Sequence, residues 1–371
     1  MRRSLIGVRE AQPDELEDWD AWTVDRPGGD VYQSRAWAAY RSRWGWRPRF
    51  LIFDDGFRLL SLERSWPLIG GSSAYLSRGP IAAGEPVAQT AARLQAAADH
   101  LVRRGVDVIA TDAEIPASTE YPAMIRALGF RQIEEVQPSR HRMSIALEGL
   151  TEEVVQGGLS TTARQYVRYA LRDGLSVVRH DRRGRSDPVD GFVSPGGDPD
   201  AAAAAGFTRL WRILEETSAR RGFHVGSERQ FLDWCTTGYG AGHLLLLEVV
   251  EPGGTTLGSG IYHRHGSRLT YSHGGDSLAG REKIRGVAQL QTWRAIQLAI
   301  REGRSEMDLG GADVRGARRE PREGEPMYGL YQHKRMYGAR WIEMTGNHEY
   351  AARPWRYGLG RALSKAKAAI L

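Results

Sequence analysis

Glu306-Met307-Asp308-Leu309-Gly310-Gly311-Ala312 and, after a polar loop, Gly329-Leu330-Tyr331-Gln332-His333-Lys334-Arg335-Met336-Tyr337-Gly338 form the stretch on which the fold turns. Residues 307–309 read as a short strand running into a glycine pair, where the backbone can turn sharply and a ligand can approach closely. Loop 312–326 carries Arg315, Arg318, Arg319 and Arg322, and it is too long for a plain connector. Residues 328–337 read as a short helix stopped by Gly338, with Lys334 beside Tyr331 and Tyr337. A lysine between a glycine turn and an arginine loop suits an anionic ligand or a developing oxyanion. Spacing alone favours a solvated lysine on a helix surface.

Working outward, residues 244–250, 258–263 and 269–272 read as successive antiparallel strands separated by Gly-rich turns. Residues 287–301 form an amphipathic helix with Val287, Leu290, Ile296 and Ile300 largely on one side. The strand at 306–309, the helix at 328–336 and a strand at 340–344 complete this half. The first half has a similar order. A helix at 14–26 and a Ser34-capped helix carrying Trp37, Tyr40 and Trp44 come first. Strands at 50–53 and 58–66 turn at Asp55-Gly56, and a strand at 74–78 follows. Then come a helix at 88–104, a strand at 106–111, a helix at 121–128 and a strand at 140–147. The repeated order predicts an α/β chain of mixed sheets: two tandem acyltransferase domains of the GNAT type. The boundaries expected are 1–147, with 346–371 packing back on it, and 148–345. Residues 182–206, which hold Ser194-Pro195-Gly196-Gly197-Asp198-Pro199 and an alanine run, read as a loop or flexible insertion between the halves.

The chain has 371 residues, enough for two domains. A net charge of +6 makes anionic partners plausible but is small for a dedicated nucleic-acid binder. Its single cysteine, Cys235, excludes an intramolecular disulfide and reads as core packing. No structural zinc site and no cofactor is expected. No signal peptide and no run of about 18 apolar residues is evident, which makes a cytoplasmic protein the expectation.

The central stretch resembles the C-terminal signature of the Fem family, non-ribosomal peptidyltransferases that build peptidoglycan cross-bridges. The matching residues are Asp308-Leu309-Gly310-Gly311, then Leu330-Tyr331-Gln332-His333-Lys334-Arg335-Met336-Tyr337-Gly338, then Glu343-Met344-Thr345-Gly346. His333 and Tyr337 stand where the family has Phe. The resemblance implies aminoacyl-tRNA as donor and the stem-peptide amine of a peptidoglycan precursor, lipid II or a UDP-MurNAc-peptide, as acceptor. It implies Lys334 as the catalytic cation, with His333 beside it. Asp308, Gly310, Gly311 and Tyr331 belong to its substrate site. Sustained heptads are absent, so the long coiled-coil arm of some members is not expected.

Further candidates follow from the same comparison. The family's Gln-x-x-x-Trp motif stands as Gln33-Ser34-Arg35-Ala36-Trp37, and Arg41 takes the place of its phosphate-holding lysine; arginine can grip phosphate bidentately. A second phosphate arginine is replaced by Gly226, with Arg220, Arg221 or Arg229 as substitutes. Asp112 matches an acidic residue that in the family faces the acceptor peptide, which gives it a catalytic role, orienting or deprotonating the amine; the alternative is a loop aspartate capping the next turn. His273 lies where an aromatic borders the acyl site; His263 and His265 share a strand face without a third metal ligand. Arg164, Arg168 and Arg172 repeat every four residues and make one basic helix stripe. Either that stripe is a solvated face or, with Arg318 and Arg319, it tracks tRNA phosphates.

Two rival readings stay open. Lys283-Ile284-Arg285-Gly286-Val287-Ala288 is a near match to a pyrophosphate cradle of acetyl-CoA-dependent N-acyltransferases. A non-catalytic cell-wall binding protein is the other. Residues 353–371 carry Arg353, Arg356, Arg361, Lys365 and Lys367 without an acid. They suit a peripheral contact with an anionic membrane or packing on the first domain.

Overall fold

Two mixed sheets organise the chain, each containing a parallel strand pair. The computed structural model describes residues 6–66, 70–82, 84–134, 140–184, 191–222, 225–278, 285–314, 318–360 and 362. It divides into one unit of Met1–His141 with Ile342–Leu371 and another of Arg142–Trp341.

In chain order the strands are β1 (Val8–Glu10), β2 (Arg47–Phe53), β3 (Arg58–Ser65), β4 (Ser72–Leu76), β5 (Val106–Thr111), β6 (Arg131–Gln132), β7 (His141–Ala146), β8 (Ser176–His180), β9 (Leu244–Val250), β10 (Thr256–His265), β11 (Arg268–Asp276), β12 (Glu306–Asp308), β13 (Arg340–Glu343) and β14 (His348–Ala351). The first sheet runs β1-β2-β3-β4-β5-β14-β6 and the second β13-β7-β12-β11-β10-β9-β8. In the first, β4 and β5 are parallel; in the second, β11 and β12 are.

The first unit carries α1 (Trp19–Thr23), α2 (Arg35–Arg43), α3 (Val87–Arg103) and α4 (Tyr121–Ala127). The helix expected over 14–26 is a 3-10 turn, Pro13–Leu16, followed by α1. Ser34 starts α2 by accepting the Trp37 N–H at 2.9 Å, which satisfies one of the helix's orphan donors. Leu94, Ala97 and Leu101 of α3 are fully buried against the sheet with Leu51, Leu59 and Ile109. Each such leucine contributes about 1.5–3 kcal/mol by leaving water.

The second unit carries α5 (Glu152–Gly158), α6 (Thr161–Arg172), α7 (Pro199–Arg221), α8 (Glu228–Gly240), α9 (Val287–Arg301) and α10 (Tyr328–Arg335). Strand β9, an almost unbroken leucine run, is buried on both faces. Leu245, Leu247 and Val249 face α6 and α9, while Leu244 and Leu246 face α7 and α8, as the two-residue repeat of a strand requires. The alanine run read as loop is instead the first turns of α7. Asp198 accepts the Asp200 N–H, Pro199 sits at the first helical position, and Ala203 is fully buried.

Strand β7 corrects a second expectation. The order of elements puts it in the first half, yet it pairs with β12, Met307 opposite Ile145 and Asp308 opposite Ser144. Its Met143 and Ile145 enter the core of the second unit, while Arg142 and Ser144 on its other face bond Glu306. Alternation told which face is buried, not which sheet receives the strand. Conversely, β14 from the far end of the chain joins the first sheet, between β5 and β6. Among the described residues no helix is long and apolar enough to cross a membrane.

Candidate active site

In the second unit the chemistry gathers where β12 parts from β11. The two strands are in register only from Arg268↔Glu306 to Thr270↔Asp308, and β11 continues to Asp276. Beyond Asp308 the chain leaves β11 but stays with β7: Leu309 N–H donates to Met143 O at 2.9 Å, and Met143 N–H to Gly310 O at 3.0 Å. A wedge opens. Gly310 makes the turn with φ +73, a region only glycine enters freely. Asp308, 4 % exposed, holds that turn by accepting the Gly310 N–H at 2.8 Å.

Helix α10 delivers Lys334 to this turn. Tyr331 and Lys334, three residues apart, share its buried face. The Lys334 ammonium, 5 % exposed, donates to Gly311 O at 2.7 Å. A side chain added at Gly310 would lie 3.5 Å from Tyr271 O of β11 and 3.6 Å from Lys334 Nζ, so ammonium, glycine turn and strand edge meet at one point. Burial pulls the Lys334 pKa down to about 8, and the nearby Asp308 charge offsets part of that. The lysine that spacing alone would put on a solvated surface is therefore an interior cation.

His333 packs edge-on to Tyr337, ring centroids 5.3 Å apart. Burial, helped by the Lys334 charge, lowers its pKa to about 4. It is a neutral ring at pH 7, packed on Tyr337. Tyr331 gives its hydroxyl to Glu320 and so ties the preceding loop to α10. Arg319 is paired through both guanidinium nitrogens with Glu325, which neutralises a charge assigned to tRNA. Arg318 adopts φ +49, and Arg315 lies outside the described residues.

Of the other expected residues, His273 lies on the β11 edge of the wedge, two residues beyond Tyr271. His273 is exposed, bonds Ser272 through Nδ1 at 2.8 Å and packs against Phe231. Arg220 is exposed on the last turn of α7, with Thr217 Oγ1 at 3.4 Å; the side chain of Arg221 lies outside the described atoms. On α6, Arg164 donates to Gly157 O at 2.9 Å. Arg172 lies over Tyr169 and 3.5 Å from Asp173. Arg168 projects into solvent.

The first unit has its own cluster at the corresponding strand pair. Gln33, fully buried, spans β3 and β4 by donating to Ser77 O at 2.6 Å and accepting the Leu60 N–H at 2.7 Å. The Gln-x-x-x-Trp motif is thus a brace across the sheet. Asp112, at the end of β5, is 1 % exposed. It accepts from Tyr75 Oη at 2.7 Å, Arg78 N–H at 2.6 Å and Arg78 Nη1 at 3.0 Å. Burial raises its pKa, and Arg78 works against that. Rather than facing an acceptor amine, Asp112 anchors Arg78, whose backbone sits at φ +54 and whose guanidinium lies over Tyr32.

Arg41 stacks between Trp37 and Trp46 at 5.2 and 4.7 Å, and Arg64 lies over the same Trp46 ring at 5.8 Å. The buried Nε of Arg41 has no hydrogen-bond partner. Burial lowers the pKa of Arg41, and the charge of Arg64 acts the same way. Sequence reading missed Arg78, Tyr75 and Arg64. For Arg64 the available signal was its position on β3, which brings it beside the indole that Arg41 covers. The C-terminal cations are partly spent: Arg353 and Arg356 pair with Asp107 at 2.9 and 3.4 Å, and residues 361 and 363–371 lie outside those described.

The family model for an acetyltransferase (GNAT) domain matches residues 162–335. With the wedge and its buried cation, this defines an acyltransferase of GNAT-like fold. The chain has the tandem two-lobed fold of the Fem type: the crystal structure of FemX aligns at TM-score 0.74 with 18 % identity, over 95 % of this chain and 99 % of that one. L-PGS from Bacillus licheniformis aligns at 0.52 with 10 % identity, over 98 and 97 %. The C-terminal domain of a putative lysylphosphatidylglycerol synthetase from Agrobacterium fabrum aligns at 0.53 with 11 % identity, over 95 and 96 %. At these identities the likeness is one of fold. No curated protein matches the chain.

Proposed function

We propose that the protein transfers an aminoacyl group from aminoacyl-tRNA to the stem-peptide amine of a peptidoglycan precursor. The observation that carries this reading is the buried Lys334 ammonium at the Gly310–Gly311 turn. The acceptor amine attacks the ester carbonyl, a tetrahedral oxyanion forms, and the ribose oxygen departs. The ester is already activated, so positioning and charge stabilisation suffice. An ammonium has three donors, and one is spent on Gly311 O. The others remain for the oxyanion or the leaving oxygen. Arg41 and Arg64, neither paired with a carboxylate among the described residues, suit the phosphates of a nucleotide- or lipid-linked precursor. Single-turnover transfer from charged tRNA to a muropeptide precursor tests the reading directly.

A pH profile adds a second test. With Lys334 near 8, the catalytic cation is lost above that pH. A lysine-type acceptor amine, pKa about 10.4, becomes nucleophilic over the same range. The product of the two fractions gives log kcat/KM a unit slope up to about pH 8, a plateau from there to about pH 10.4, and a fall beyond. In Lys334→Arg, where the cation persists, the rise continues past pH 8. A plateau at the same pH in that variant would detach it from Lys334.

The anion pair is checked separately. Arg41→Gln and Arg64→Gln are each expected to weaken acceptor binding roughly tenfold, as loss of a charge-assisted phosphate contact does, with kcat little changed. Equal loss toward a phosphate-free muropeptide would remove the phosphate assignment.

Acetyl-CoA remains the rival donor, favoured by the matched domain description. Against it, Gly286 caps the start of α9 at φ +94, and a side chain there would run into Tyr166 O at 2.2 Å. A carbonyl oxygen packed on the start of this helix opposes a pyrophosphate. Thermal stabilisation by CoA and not by tRNA would reverse the preference.

A further inference from the structure

A groove of about 220 Å³ lies in the second unit between α5, α6 and α9. Leu159, Val167 and Trp293 form its apolar base, Leu171 lies along it, and Arg164 and Arg168 stand at its side. Among the described residues no carboxylate lines it, and Arg164 meets only a backbone carbonyl and the Thr161 hydroxyl. Among the described residues Arg168 makes no hydrogen bond or ion pair. Leu171 is 44 % exposed although it is a large aliphatic side chain on a strongly two-sided helix. Leu150 and Val154, 39 and 58 % exposed, add apolar surface at and just before α5.

We propose that this groove is a docking site for an anionic phospholipid at a membrane surface. An acyl chain would lie on Leu159, Val167 and Leu171, with its phosphate between Arg164 and Arg168. Charge complementarity fixes the sign of the headgroup. The exposed apolar side chains, Leu171 in the groove and Leu150 and Val154 nearby, select a lipid over a nucleic acid: phosphodiesters need the guanidiniums but gain nothing from exposed leucine and valine, whereas Leu159, Val167 and Trp293 only floor the groove. The two arginines lie four residues apart, about 6 Å along the helix, close enough to share one phosphate. The inference goes beyond acyl transfer and does not depend on it.

The test is binding of the full chain to phosphatidylglycerol-containing vesicles and to pure phosphatidylcholine vesicles, by flotation. Wild type is expected on the anionic vesicles only, with binding weakened by salt. Arg168→Glu should reduce that binding by roughly tenfold or more. Leu171→Asp should do the same with both arginines intact. Both sites are exposed, and unchanged melting curves would exclude misfolding. Unchanged vesicle binding in Leu171→Asp overturns the proposal, as does equal binding to phosphatidylcholine. Loss in Arg168→Glu of RNA retention alone, with vesicles still bound, would assign the stripe to nucleic acid instead. None of these outcomes depends on catalysis, so transfer activity can fail or survive independently.

Discussion

Lys334→Met is expected to lower single-turnover transfer about 10²–10³-fold, the usual effect of removing one oxyanion donor. Acceptor affinity should stay nearly intact, because an interaction made only in the transition state changes rate rather than ground-state binding. The variant should fold well. Methionine matches the length of the lysine stem and removes a charge whose burial already lowers its pKa to about 8. The folded protein thus binds that proton less tightly than the unfolded chain does. Between pH 8 and the ordinary lysine value, the wild type gains stability as pH rises; the methionine variant should lack that gain. Lys334→Arg should rescue only part of the rate, since a planar fork cannot place its charge where the ammonium stands. A wild-type transfer rate in Lys334→Met, with melting behaviour shifted as described, would leave Lys334 as an interior structural cation and end the site assignment.

Asp112→Ala is expected to be the most damaging single change in the first unit, costing about 3–5 kcal/mol, the range for breaking a buried ion pair by removing one partner. The carboxylate is out of contact with water and holds three donors. Without it, the Arg78 guanidinium remains buried beside Glu114, 3.7 Å away, and the Tyr75 hydroxyl loses its acceptor. Denaturant unfolding measures the loss directly. Asp112→Asn should cost less, because a carbonyl oxygen can still accept from the Arg78 N–H. If Asp112→Ala unfolds at the wild-type midpoint yet loses transfer, the carboxylate is catalytic after all and the anchoring account fails.

Much of the fold was legible because its signals are local. Val106–Thr111 and Val287–Arg301 were read with the bounds observed, each a strongly patterned segment closed by glycine or charge. What was misread depended on partners distant in sequence. The alanine run looked like linker because Gly196-Gly197 precedes it, although Asp198-Pro199 is itself a helix-start signal. Lys334 was legible as a motif position, but its burial follows from the wedge, which needs β7, β11 and β12 together. Arg319 looked like a free cation until Glu325, six residues on, took its charge. Arg78 carried no signal: its partner is 34 residues away, and its left-handed backbone is unusual for a residue with a side chain.

The placement of β14 has a consequence for synthesis. The first sheet needs residues 348–351 to join β5 to β6, so most of the chain must leave the ribosome before that sheet can close. Until then β5 presents an open edge, whose unpaired N–H and C=O groups invite other strands. A nascent chain stalled before residue 348 should therefore remain protease-sensitive in its amino-terminal lobe. Emergence of residues 348–351, rather than of that lobe, would mark the moment it becomes resistant.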